Sequence, residues 1–208
     1  GWKTRLLSAV FQSVSTRTAG FNTVDVGALQ VATIFLYIIL MFIGANPGGT
    51  AGGIKIPAVA TLCGYIKDWF AAPGLPVTLF RHRISKFAVS HAVRLFFFSV
   101  LFVFGAIFLI TVFEREWLIT SDSTMNFVKV VFEAFSAFGT AGLSMGFLES
   151  VTSLSAIFSV PSKLVIIVAM LVGRFGPLTL LAALPWKRLY KDAPVSPDFE
   201  DAVKLQIG

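Results

Sequence analysis

Residues 16–23 read TRTAGFNT and residues 139–145 read GTAGLSM. Both are short polar stretches built on Thr-Ala-Gly, and each follows one hydrophobic run and precedes another. What such loops do depends on the medium around them. The chain of 208 residues is 56% hydrophobic and 13% charged, holds 22 Phe and has a mean hydropathy of +0.82. A soluble domain carries about a quarter charged residues, so the composition indicates an integral membrane protein. A net charge of +6 and a pI near 9.7 do not point to nucleic acid, because Lys and Arg gather in loops between apolar runs and do not interleave with aromatics along a groove. The single cysteine, Cys63, lies in an apolar stretch and reads as packing. No cleavable signal peptide is visible in GWKTRLLSAVFQS.

Apolar blocks at residues 27–43 and 54–72 flank the glycine-rich NPGGTAGG. Residues 87–113 form one continuous run, and residues 158–185 form another, interrupted by Arg174. Crossing the hydrocarbon core takes about 20 apolar residues. Residues 123–138 are too few for that at about 1.5 Å each, and the segment is expected to be re-entrant. Lys67, Arg81, Arg83, Lys86 and Arg94 surround one junction and Lys187, Arg188 and Lys191 another, whereas the junction after residue 113 carries Glu114, Glu116 and Asp122 beside Arg115. The positive-inside tendency makes the first two cytoplasmic and the third external. The run from residue 87 then travels outward, residues 123–145 dip in and return, and residues 158–185 travel back. The plan is helix, pore loop, helix, in a multi-pass protein of the cell (inner) membrane whose C-terminus is cytoplasmic.

The beginning of the chain repeats this plan without its first helix. Aligned on Thr18-Ala19-Gly20 and Thr140-Ala141-Gly142, FQS at Phe11 matches FEA at Phe132 with one residue of slippage, and MFIGANPGGT at Met41 matches MLVGRFGPLT at Met170. The expected fold is an all-α membrane protein of repeated pore-loop units. Residues 1–77 form one unit with an interrupted inner helix, residues 78–191 form a complete unit, and residues 192–208 form a soluble cytoplasmic tail.

Non-helical backbone at membrane depth is tolerated where it is buried in protein or lines a watery cavity. Carbonyl oxygens aimed at one axis replace the hydration shell of a cation, and glycine lets successive carbonyls turn the same way. The short helices before each loop direct their negative C-terminal ends to the same place. Thr18, Ala19, Gly20 and Phe21, with Thr140, Ala141, Gly142 and Leu143, are therefore the expected selectivity filter, binding a cation through backbone carbonyls near Gly20 and Gly142. The stretch Ala45, Asn46, Pro47, Gly48, Gly49, Thr50, Ala51, Gly52 and Gly53 aligns with mid-span sequence in the other unit. An extra crossing there would reverse the charge bias of the loops that follow, so this stretch is expected to be a break in one helix beneath the filter, where it obstructs the pore and moves aside as a gating loop.

Arg174 lies 13 residues from Pro161 and 11 from Pro185, or about 20 Å and about 16 Å along a helix. A charge at that depth is expected to face the bundle interior and be paired. With no acid in the neighbouring spans at that depth, the expected partners are carbonyls of the glycine-rich loop, which makes Arg174 a gate latch. Arg17 and Glu133 lie close to the filter loops, and both read as scaffold, with Glu133 or Asp25 available to pair with Arg17.

The motifs TRTAGFNT, FIGANPGGTAGGIK, SAFGTAGLSMG and GRFGPLT resemble the C-terminal half of the Trk/Ktr/HKT superfamily of potassium transporters, most nearly its KtrB type. The resemblance covers residues 11–185 and implies four helix, pore-loop, helix units around one pore, of which this chain holds most of the third and all of the fourth. It implies potassium as the conducted ion, sodium as an activator, no covalent cofactor, a homodimer in membrane lipid, and a cytoplasmic nucleotide-binding ring of KtrA/TrkA type as partner, the nucleotide being bound only by that subunit. It also places the intramembrane gating loop at residues 45–53. Units one and two, the missing N-terminal half of the pore, are not in the sequence.

Two other classes of function are open to the residues. A chain holding half a pore is also compatible with a non-conducting assembly or regulatory subunit. Residues 142–146 fit G-x-S-x-G, which would make Ser144 the nucleophile of an intramembrane hydrolase. That motif requires a preceding strand and a nearby histidine, whereas the preceding stretch is helical in pattern and His82 and His91 belong to the basic cytoplasmic region. Residues 48–55 fail as a phosphate loop, since Lys55 is followed by neither Ser nor Thr. No Cys, His and carboxylate cluster has metal-site spacing.

Overall fold

A computed structural model of the chain describes residues 1–44, 51–71, 78–79, 82–119, 123–146 and 152–176. It is a helical bundle. Helix α1 spans Trp2–Ser15, α2 Val31–Phe42, α3 Ile56–Ala71, α4 Lys86–Phe113, α5 Arg115–Leu118, α6 Ser123–Phe138 and α7 Val160–Phe175, with a 3₁₀ turn at Leu154–Ala156. Between α3 and α4 the two-residue strands β1 (Thr78–Leu79) and β2 (His82–Arg83) pair antiparallel, Thr78 opposite Arg83. This small hairpin, the single turn α5 and the 3₁₀ turn are additions to the expected all-α outline. They are too short to carry the hydrophobic periodicity by which elements are read from sequence.

The caps explain where the long elements begin and end. The Ser85 hydroxyl accepts from the Ala88 amide at 3.2 Å and opens α4. The 28 residues of α4 reach about 42 Å, and among the described residues it is the one helix long and apolar enough to cross a membrane. Ser159 and Pro161 open α7. Gly176, at φ 80°, closes it one residue past Phe175. The apolar run to Pro185 was expected to continue this helix; residues 177–208, which include the tail, lie outside the described residues. Helix α6, of 16 residues, reaches only about 24 Å.

Helix α6 is the centre of the packing. It lies against α7, α4 and α2, and Phe132 and Phe138 on it are fully buried. One core joins Ile110 of α4 and Ile166 and Ala169 of α7 to Val130 and Phe138. A second joins Ile34 and Met41 of α2 to Phe132 and to Ala141 and Leu143 of the loop after α6. In a bilayer these contacts gain little from excluding water, so close fit must hold them. Gly173 of α7 supplies that fit, since a Cβ there would collide with the Phe138 carbonyl. By contrast α1, with Leu6, Leu7, Val10 and Val14 more than half exposed, packs little on the other elements.

Candidate functional site

The two Thr-Ala-Gly loops follow α1 and α6, the two short helices aligned by the sequence repeat. Gly20 and Gly142 have φ of 73° and 79°, and Thr18 and Thr140 have φ of 72° and 51°. Left-handed backbone is ordinary for glycine and rare for a β-branched residue. Two threonines held there at matching positions are a strained feature that the surroundings must enforce.

Part of that enforcement is local. After α1 the Ala19 and Gly20 amides return to the Ser15 carbonyl, at 3.2 and 3.3 Å; after α6 the Ala141 amide returns to the Ser136 carbonyl at 2.9 Å. The side chains of the same serines reach the residue beyond each glycine. Ser15 Oγ donates to the Phe21 carbonyl at 2.5 Å and Ser136 Oγ to the Leu143 carbonyl at 2.6 Å. One hydroxyl in the last turn of each short helix thus withdraws one carbonyl of the loop, leaving the orientation of its neighbours to the left-handed residues.

The loops also meet. A Cβ on Gly20 would lie 2.8 Å from the Ala141 carbonyl oxygen and 3.6 Å from Gly142 Cα, and a Cβ on Gly142 would lie 3.7 Å from Gly20 Cα. The two glycines therefore face each other across a gap with no room for a side chain on Gly20. Ala141 and Leu143 are buried at 2% exposure, whereas Phe21 is 68% exposed. The second loop rests on α2 and α6, and the first has no such bed among the described residues.

The glycine-rich stretch comes to the same place. Helix α2 stops at Phe42 and α3 begins at Ile56, and the chain between them leaves and returns at one point. The Gly44 amide donates to the Ile54 carbonyl at 2.8 Å and the Ile54 amide to the Phe42 carbonyl at 3.0 Å, forming a parallel bridge from Ile43 to Ile54. Residues 45–50 lie outside the described residues. Of the remainder, the Gly52 amide donates to Thr140 Oγ1 at 2.9 Å, so the returning arm touches the base of the second Thr-Ala-Gly loop. A side chain at residue 52 would drive into Thr140. Lys55 Nζ donates to the Ala51 carbonyl at 2.5 Å.

Arg174 stands in the last turn of α7, beside Gly173 and its contact with Phe138. It is exposed, where enclosure in the bundle interior was expected. The helix ends one residue later, so the guanidinium projects from a helix C-terminus, whose partial negative charge it complements.

Arg17 is exposed as well, and the pairing expected for it is not formed. Asp25 Oδ1 accepts from the Gly27 amide at 2.8 Å, and Glu133, 6% exposed, accepts from Ser144 Oγ and Ser153 Oγ at 2.7 Å each. This buried carboxylate lines a cavity of about 320 Å³ behind the second loop, together with Ser136, Thr140 and Ser155. Ser144 is spoken for by Glu133 and is not aligned with a histidine, and a helix precedes it in place of the strand a nucleophile elbow needs, so the hydrolase alternative falls.

The left-handed threonines, the Thr140 to Gly52 bond and the Glu133 network were missed in the sequence reading. The signal for the serine clamps was present: Ser15 and Ser136 stand at the same register of the repeat, as do Gln12 and Glu133.

Comparison with known proteins agrees on the family. The TrkH cation transport protein family pattern matches residues 2–188. The Ktr system potassium uptake protein B of Bacillus subtilis is 36% identical over 177 residues, covering 85% of this chain and 36% of the relative. The potassium/sodium uptake protein NtpJ of Enterococcus hirae is 34% identical over 180 residues, 86% of this chain and 37% of the relative. The crystal structure of the potassium transporter TrkH from Vibrio parahaemolyticus superposes with a TM-score of 0.63 at 23% identity, over 85% of this chain and 36% of that one. The chain thus spans about a third of the length of the relatives it matches.

Proposed function

The chain belongs to the TrkH family of cation transport proteins, membrane proteins that are not enzymes, and on that premise we propose that it forms part of a potassium-selective pore. Residues 18–21 and 140–143 are two of its filter segments, residues 1–77 and 78–191 are its third and fourth units, and two further units complete the ring. The observation that carries this reading is the close approach of Gly20 and Gly142, each left-handed and each followed by a residue whose carbonyl accepts from a serine of the preceding helix. Two loops so built converge on one point from two sides, as a ring of carbonyl ligands requires. Potassium is the ion in the names of these relatives, and that of NtpJ adds sodium as an ion taken up; for this chain the proposed mode is sodium-stimulated potassium uptake.

Residues 45–53 serve as the gating loop under the filter and Arg174 as its latch. The Gly52 to Thr140 bond supports this placement of the loop. The working assembly is a homodimer in the cell membrane, with the C-terminus cytoplasmic and a nucleotide-binding ring of KtrA/TrkA type beneath it. Gly142→Ser tests the filter: with a side chain forced into the left-handed region, potassium over sodium discrimination should fall in the complete, reconstituted pore. Unchanged discrimination after replacement of both Gly20 and Gly142 removes these loops as the filter.

A further inference from the structure

The proposed filter is made of backbone, and yet a buried carboxylate is hydrogen-bonded to the residue two beyond Gly142. Glu133 Oε2 accepts from Ser144 Oγ, two residues past Gly142, at 2.7 Å. Its Oε1 accepts from Ser153 Oγ at 2.7 Å and from the Ser155 amide at 3.2 Å. One side chain on α6 thereby fastens the outgoing arm of the filter loop to the turn that leads into α7. Among the described residues all these partners are uncharged.

Proton counting shows why a carboxylate is needed. A hydroxyl has one proton to give and two lone pairs to receive. Both lone pairs of Ser144 Oγ are taken, by the Leu154 amide at 3.0 Å and the Gly146 amide at 3.3 Å. Its proton must therefore go to an acceptor, and Glu133 Oε2 is that acceptor. A side-chain amide in its place could serve one side only: with its oxygen on Ser144 its nitrogen would face the Ser155 amide, donor against donor. In the other unit the repeat places Gln12 at this register. Its Nε2 reaches Thr23 Oγ1 at a long 3.4 Å, and its buried Oε1 has no partner among the described residues. One filter loop is firmly held and the other loosely.

We propose that Glu133 is a positioning residue for ion selectivity, setting the outer end of the second filter loop through Ser144 and the turn before α7. This rests on the filter reading above. The carboxylate touches no ion; it fixes the carbonyl positions that do. Glu133→Gln in the complete reconstituted pore should lower potassium over sodium discrimination roughly tenfold, the effect of losing one buried hydrogen bond. Ser144→Ala, which leaves the carboxylate in place, should lower it in the same direction, while the amount of inserted protein stays near wild type. The KM ratio for the two ions is the readout, because a purely structural defect reduces the quantity of active protein and not that ratio. If Glu133→Gln fails to insert, Ser144→Ala decides alone. An unchanged ratio in Ser144→Ala overturns the proposal whatever Glu133→Gln does. If Gly142→Ser shifts the ratio while Ser144→Ala does not, the filter reading stands and only the role of Glu133 falls.

Discussion

Glu114 closes α4 and at the same time begins α7, because its Oε1 accepts from the Ser159 amide at 2.7 Å and from Ser159 Oγ at 2.6 Å. Burial alone would raise this carboxyl; hydrogen bonds from the Ser159 and Ser162 hydroxyls and the Ser159 amide, with the charge of Lys163, outweigh it and hold the group below the usual glutamate value. A depressed acid stabilises the fold fully above its unfolded value, about 4.3, and loses that contribution as pH falls through the lower folded value. Glu114→Gln should therefore cost about 1 kcal/mol at neutral pH, and its deficit against wild type should shrink as the solution is acidified through that window. Thermal unfolding in detergent at several pH values checks this. In sequence Glu114 reads only as one acid of an external loop. Its cap was not legible because Ser159 is 45 residues away, and no local pattern connects the two.

At the scale of elements, the break between α2 and α3 was legible and its attachment was not. Gly48, Gly49, Gly52 and Gly53 beside Pro47 forbid a continuous helix, and repeat parity with residues 170–179 places the break at mid-span. That its returning arm would bond to Thr140 depends on a tertiary contact across 88 residues. Thr140→Val keeps the shape of the side chain and removes the acceptor, so the Gly52 amide loses its partner. With the loop proposed as a gate, this variant should raise ion flux severalfold, whereas Thr140→Ser should behave as wild type. Arg174→Ala should also raise flux, with Arg174→Lys intermediate, since lysine keeps the charge and loses the planar fork. Isotope uptake into liposomes measures all four. Abolished transport in a correctly inserted, dimeric Arg174→Ala protein would show that residue to be structural or conductive and end its role as a latch. No rise in Thr140→Val would likewise remove Thr140 from the gate.

For the molecule as a whole, the 28-residue length of α4 and the brevity of α6 were readable from apolar run lengths. The left-handed threonines and the buried Glu133 were not, because backbone strain and hydrogen-bond counts belong to the packed state. The proposed ring needs four loops, and two are present. Residues 1–208 reconstituted alone should therefore carry no potassium current, while the same residues joined to two further units should; single-channel recording or flux assays distinguish the cases, and a current from the isolated chain would refute the four-unit ring. The stem at Ile43 and Ile54 has a further implication. Its two hydrogen bonds fasten the end of α2 to the start of α3. Composition is fixed on both sides of that stem, since Gly44 and Gly52 have no room for a side chain and Gly53 is left-handed, so a change at these glycines would be felt at once by the stem or by Thr140.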